Sequence, residues 1–335
     1  MDPTSQAPLP RVLVLSLGGT IAMAADTTGQ GVAPRLTAEG LVAAVPELAA
    51  EATLELVDFR KIPGAWLEVE DIAAVAELLN KRSSDSAGFV ITQGTDTLEE
   101  TAYLLDLLYT GDAPVVITGA MRDAQMAGAD GPANVLAAVR TAACPEARSM
   151  GVLVAFADEL HAARHVQKTH STSTSAFASP GAGPVGHLVE GQPRIHFTLP
   201  RQAPIDLPVA RPASVELIEA TLGSESLLLD EAAARLDGLV VAAFGAGHVL
   251  RTWAQRLGDL AARVPVVLTS RTGAGSVLTH TYDFGPGSET DLLGRGLING
   301  GRLEPRKARL LLLALLRSGA DHASIQAAFA THRSP

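Results

Sequence analysis

Short runs of branched apolar residues, each leading into a loop and then a helical pattern, recur along the first half of this chain. Val12-Leu-Val-Leu-Ser-Leu17 stops at Gly18-Gly19, and Gly88-Phe-Val-Ile91, Pro114 to Thr118 and Gly151 to Phe156 repeat the theme. None of these runs alternates with polar residues, as a strand with one wet face would. They suit strands of a sheet covered on both sides. Thr53 to Phe59 does alternate and reads as a half-covered strand. Helical spacing falls between the runs, at Thr37 to Val45, Val69 to Leu79, Thr97 to Tyr109 and about Pro132 to Ala143. Thr97-Leu-Glu-Glu100 has the form of a capping box, which predicts that the Thr97 side chain closes the start of its helix. Strand and helix in alternation predict an α/β fold with a mainly parallel sheet between helices.

From Gln192 to Pro212 the pattern breaks, with Pro193, Pro200, Pro204, Pro208 and Pro212 in close succession. Proline removes a backbone donor and disfavours regular structure, so this stretch reads as a connector. Strand patterns then resume at Ser214 to Ala220, Leu239 to Phe244 and Val264 to Thr269. A helical pattern runs from Glu304 to Ser318, with Pro305 in its first turn. The expected organisation is a larger N-terminal α/β domain over 1–191, a proline-rich linker over 192–212 and a smaller C-terminal α/β domain over 213–335.

Several function classes fall away. The chain has 26 Lys+Arg against 36 Asp+Glu, a net charge of −10, which argues against a nucleic-acid partner. Its single cysteine, Cys144, excludes an intramolecular disulfide and a cysteine-based zinc site. The longest apolar run, Leu310 to Leu316, is far short of the ~20 residues a bilayer span requires. Met1 to Pro10 lacks the basic start of a secretory signal, so the expected location is cytoplasmic, with no membrane partner.

Ligands of open α/β sheets bind at the carboxyl ends of the strands, which selects the loops there. Gly18-Gly19-Thr20 lets the backbone approach a ligand and presents a hydroxyl, although alone it reads equally as a tight turn. Gln93-Gly94-Thr95-Asp96 sets a hydroxyl beside a carboxylate at a second strand end, where Asp96 and Thr97 could also serve only as caps. Two strands of one sheet thus end in Gly-Thr, which aims two hydroxyls at one crevice. Lys168, in Val166-Gln-Lys-Thr-His170, is either a solvated loop lysine or the cation that pairs with Asp96. A threonine hydroxyl is a weak nucleophile and needs such a partner. No thiol lies near any of these motifs, so a nucleophile among them would be a hydroxyl. His161 and His165, with Asp158 or Glu159, are the raw material for a metal site, but no metal is expected. Gly245-Ala-Gly247 lacks the third glycine and the acidic partner of a dinucleotide loop.

Leu17-Gly-Gly-Thr-Ile-Ala22, Ile91-Thr-Gln-Gly-Thr-Asp-Thr-Leu-Glu-Glu-Thr-Ala102, Thr118-Gly-Ala-Met-Arg122, Ala129-Asp-Gly-Pro-Ala-Asn134, Gly151-Val-Leu-Val154 and Glu304-Pro-Arg-Lys-Ala-Arg-Leu310 resemble the bacterial-type L-asparaginase/glutaminase family, over about Val12 to Phe329. The resemblance implies a two-domain asparaginase-like α/β fold and a homodimer or homotetramer. It implies hydrolysis of the asparagine side-chain amide, sometimes of glutamine, through a threonine acyl-enzyme without a cofactor. Matched position by position, it makes Thr20 the loop nucleophile and Thr95, Lys168 and Asp96 a second catalytic group. Substrate would touch Gly19, Gly64, Ala65, Gly94, Thr95, Asp96 and the backbone of Ala120. Three positions depart from the family pattern. No tyrosine follows Gly-Gly-Thr, Gly64-Ala65 stands where a substrate-gripping Ser-Gln pair is usual, and His248 replaces an asparagine supplied by a neighbouring subunit. These departures sustain an alternative reading, an asparaginase-like binding or sensing protein with weak or altered hydrolysis.

Overall fold

The computed structural model describes residues 8–18, 23–25, 32–34, 39–40, 44–206, 212–225, 227, 229 and 235–332. The chain forms two compact units, Met1–Pro204 and Ile205–Pro335. Of the expected helix at Thr37 to Val45, all but 39, 40, 44 and 45 lies outside the described residues.

The first unit is built on an eight-stranded sheet. Its parallel part holds β1 (Arg11–Ser16), β4 (Thr53–Asp58), β5 (Gly88–Thr92), β6 (Val115–Thr118) and β7 (Val152–Phe156), in the order β4-β1-β5-β6-β7. A short antiparallel pair, β2 (Met23–Ala25) and β3 (Val32–Pro34), leaves the sheet after β1. Strands β5, β6 and β7 are buried at every residue, and β1 at all but its first. That explains their unbroken apolar sequence: helices cover both faces. The short helix α1 (Leu48–Glu51) precedes β4, and α2 (Val69–Arg82) follows it. Helices α3 (Leu98–Leu108) and α4 (Gly131–Ala143) pack on the central strands, and α3 is buried at ten of its eleven positions.

The sheet continues past β7 by antiparallel pairing, which the sequence did not announce. Ala157 and Asp158, both at positive φ, make a two-residue turn into β8 (Glu159–Ala162). A small ribbon follows, β9 (Gln167–Lys168) with β10 (Phe177–Ala178). Then β11 (Gly186–Val189) and β12 (Gln192–Ile195) close the edge. The expected linker therefore begins too early: Gln192–Ile195 is an edge strand of the first unit, where Pro193, opposite Leu188, forfeits little by lacking a donor.

The second unit carries a parallel sheet of β13 (Val215–Glu219), β14 (Gly238–Ala243), β15 (Val266–Ser270) and β16 (Ile298–Asn299). Helix α5 (Arg251–Ala261) joins β14 to β15, and α6 (Glu289–Gly294) precedes β16. Helix α7 (Pro305–Ser318) starts where Glu304 accepts the Arg306 and Lys307 N–H groups, and stops at left-handed Gly319. It holds the whole Leu310–Leu316 run, largely buried. Helix α8 (His322–Ala330) ends the described chain. No helix among the described residues is long and apolar enough to cross a membrane.

One buried carboxylate organises the loop before α6. Glu289 Oε1 accepts the Thr281 and Tyr282 N–H groups at 3.0 and 2.6 Å, and its Oε2 lies 3.1 Å from His248 Nε2. Burial pushes the Glu289 pKa up, but these hydrogen bonds together hold it below the ordinary carboxylate value. Its contribution to stability is therefore present above the unfolded glutamate pKa of ~4.3 and lost as the pH falls through the lowered folded value. Glu289→Ala takes the acceptor from two part-buried N–H groups and is expected to cost about 1–2 kcal/mol at neutral pH. Glu289→Gln keeps an oxygen for both N–H groups. It is expected to preserve most of the stability while removing this acid-side loss, read as Tm against pH.

Candidate active site

Strands β1 and β5 are neighbours in register, Ser16 beside Thr92, so their loops leave side by side at the carboxyl end of the sheet. Leu17 donates its N–H to the Thr92 carbonyl at 2.8 Å and carries the pairing one step past the strands. Gly18 then turns with φ +100°. A Cβ on it would lie 2.6 Å from the Ile62 carbonyl oxygen, so only glycine fits there. Gly19 and Thr20, the first two candidate residues, lie outside the described residues.

The second loop is fully visible. Thr95 is buried and Asp96 follows it into solvent, its side chain 67% exposed. Lys168 arrives from the β9–β10 ribbon, far away in sequence. Its Nζ donates to Thr95 Oγ1 at 2.9 Å and to Asp96 Oδ1 at 3.0 Å, with the side chain only 16% exposed. The ribbon is tied to the same helix end, because the Lys168 backbone N–H donates to Glu99 Oε2 at 3.0 Å and Glu99 is buried. The structure thus brings Thr95, Asp96 and Lys168 into one hydrogen-bonded group.

Thr97 departs from expectation. It is the N-cap residue of α3, but its side chain makes no capping hydrogen bond. Its hydroxyl donates instead to the Gly64 carbonyl at 2.8 Å, which fastens the single 3₁₀ turn Gly64–Trp66 to this loop. Gly64 and Ala65 are therefore beside the group, Gly64 buried and Ala65 exposed. Neither offers a side-chain hydrogen bond.

The loop after β6 is braced by residues whose role the sequence alone did not disclose. Asp130 accepts the Met121 and Arg122 N–H groups, each at 2.9 Å. Asn134 donates to the Gly119 carbonyl at 2.9 Å and accepts the Ala157 N–H at 3.0 Å. Buried Ala120 sits between these anchors. The four-residue spacing of Asp130 and Asn134, one turn apart at the start of α4, was the available signal. Asn134→Ala removes both partners and is expected to lower turnover about 10-fold with a smaller change in KM, measured by steady-state kinetics.

The histidine cluster has another use of its side chains. His161 is fully buried, 2.9 Å from Ser179 Oγ through Nδ1 and 3.2 Å from Glu159 through Nε2. Among the described residues no group of three His, Cys, Asp or Glu side chains could hold a metal ion.

Comparison with known proteins agrees with this architecture. The family model "Asparaginase, N-terminal" matches residues 11–201, and "Glutaminase/Asparaginase C-terminal domain" matches 214–329. The chain is 35% identical to the probable L-asparaginase of Deinococcus radiodurans, covering 96% of this chain and 98% of that protein. It is 34% identical to L-asparaginase 2 of Escherichia coli, covering 96% and 93%. The crystal structure of a probable cytoplasmic L-asparaginase from Campylobacter jejuni superposes with a TM-score of 0.86 at 33% identity, over 96% of this chain and 99% of that one. With both family models matched in order, and relatives aligned over nearly their whole length, the chain belongs to the asparaginase family.

Proposed function

We propose that this protein hydrolyses the side-chain amide of L-asparagine to aspartate and ammonia, with glutamine as a lesser substrate. The observation that carries the reading is the convergence of Lys168 Nζ on Thr95 Oγ1 at 2.9 Å and Asp96 Oδ1 at 3.0 Å.

The reaction is acyl transfer to a threonine hydroxyl and then to water. A threonine oxygen, of Thr20 or Thr95, bonds to the amide carbon. The carbon–nitrogen bond breaks, and the nitrogen leaves as ammonia with the hydroxyl's proton. Water then attacks the ester and restores the hydroxyl. A lysine ammonium has three donors and no acceptor. Aimed at Thr95 Oγ1, it stabilises negative charge developing on that oxygen. The Asp96 carboxylate is open to solvent, which supports its part in this reading as the group that receives the substrate's ammonium. At the Gly64–Ala65 turn only backbone groups are available to a substrate carboxylate, so weaker substrate binding is the expected consequence.

An ammonia-release assay on asparagine, glutamine and larger amides tests the proposal. Asparagine is expected to turn over fastest. Asparagine binding without ammonia from any amide would favour the sensing alternative. A homodimer or homotetramer and a cytoplasmic location belong to the same proposal, and are checked by light scattering and cell fractionation. The solved C. jejuni relative is titled cytoplasmic, while a Haemophilus influenzae relative is named periplasmic.

A further inference from the structure

We infer that Gln93 is a positioning residue: its buried carboxamide, with the space left at Gly64, orients the Gly94–Thr95 peptide so that the Thr95 N–H faces the reaction crevice. This rests on the amidohydrolase reading above and assigns one residue's part in it.

Gln93 sits where β5 ends. Its backbone N–H donates to the Thr118 carbonyl at 3.1 Å, so the strand fixes its main chain. Its side chain is fully buried and makes one hydrogen bond, Nε2 to the Gly94 carbonyl at 3.2 Å, while Oε1 has no partner among the described residues. A buried amide with most of its capacity unused is costly, and a packing role alone would be better served by an apolar side chain. The one bond it makes acts on the peptide that enters Thr95.

That peptide is trans, so its carbonyl and its N–H point in opposite directions. Holding the Gly94 carbonyl toward Gln93 turns the Thr95 N–H the other way. Among the described residues the Thr95 N–H has no hydrogen-bond partner. It is a free donor beside the Thr95 hydroxyl.

Gly64 crowds the same carbonyl. A Cβ at Gly64 would stand 2.9 Å from the Gly94 oxygen and 3.2 Å from its Cα and carbonyl carbon. The Thr97 hydroxyl holds Gly64 at that distance through its 2.8 Å bond. A serine at 64, which the family resemblance leads one to expect, would displace the carbonyl that Gln93 holds. Glycine here is a steric requirement of this arrangement. An N–H fixed in advance at the place where charge develops on an amide oxygen lowers the barrier without reorganisation during the reaction.

The test compares full-length wild type with Gln93→Leu, Gln93→Glu and Gly64→Ser, measuring kcat and KM for asparagine across pH together with Tm. Gln93→Leu is expected to lower kcat about 10- to 100-fold with KM changed by less than about threefold. In Gln93→Glu the carboxylate repels the Gly94 carbonyl, but its protonated form donates to it. Its kcat relative to wild type is therefore expected to rise as the pH falls, which a purely structural lesion would not produce. Gly64→Ser is expected to lower kcat. An active wild type with Gln93→Leu within about twofold of its kcat overturns this inference alone, as does a Gln93→Glu profile parallel to that of wild type. A wild type releasing no ammonia overturns this inference and the amidohydrolase reading together.

Discussion

Lys168→Met is expected to reduce kcat for asparagine by about 10³-fold or more, with Tm within a few degrees of wild type. The size follows from what the side chain touches: it is the only cation bonded to Thr95 Oγ1 among the described residues, and it also bonds Asp96. Removing it leaves the oxygen with no charge to stabilise it. The small effect on Tm follows from the rest of the geometry. The hydrogen bond that anchors the ribbon to buried Glu99 comes from the Lys168 backbone and survives the substitution. Asp96, left unpaired, is largely solvated and tolerates the loss. Thr95→Val removes the other partner and is expected to cost a similar factor. Groups that act as a unit are strongly non-additive, so the double variant is expected to be little worse than either single one. Additive losses in kcat would show that Lys168 and Thr95 act separately.

Thr20→Ala is expected to have the second large effect, again about 10³-fold in kcat, with Thr95, Asp96 and Lys168 still in place. Gly18, two residues before Thr20 in the sequence, leaves β1 beside the loop that carries Thr95, because β1 and β5 run side by side with their ends bonded through Leu17 and Thr92. Kinetics of Thr20→Ala and Thr95→Val on a substrate with a better leaving group separate their roles. The variant that recovers most of its rate has lost assistance to ammonia departure, and the one that stays slow has lost the attacking oxygen. Turnover of Thr20→Ala within about twofold of wild type would remove Thr20 from the catalytic set.

What the sequence revealed depended on whether a local pattern was sufficient cause for the local structure. Strands β1, β5, β6 and β7 were readable because burial on both faces permits only apolar residues, whatever surrounds them. Helix α7 was readable because Glu304, Pro305 and Gly319 set its ends chemically. Strands β8, β11 and β12 were not, since four-residue strands mixing His, Glu, Arg and Pro are specified by their partners in the sheet. Thr97 misled for a related reason: its sequence neighbours suggest a cap, but the Gly64 carbonyl, 33 residues earlier in the chain, takes its hydroxyl. The Gln93–Asp96 loop could be located from its strand end alone. The pairing of Lys168 with Asp96 could be suggested by charge, but its placement required a two-stranded ribbon and the Glu99 anchor. Asp130 and Asn134 carried a visible motif whose purpose, bracing the backbone around Ala120, emerges only in three dimensions.

The measurement that bears most directly on the central claim is product partitioning in hydroxylamine. Wild-type protein is incubated with asparagine and increasing hydroxylamine, and ammonia, aspartate and aspartyl hydroxamate are quantified. A threonine acyl-enzyme formed at the Thr95–Asp96–Lys168 site predicts aspartyl hydroxamate rising at the expense of aspartate in wild type, and both products formed about 10³-fold more slowly by Thr95→Val. Aspartate and ammonia released at an unchanged ratio, with no hydroxamate at any concentration, would mean that water attacks the amide directly and would contradict the account.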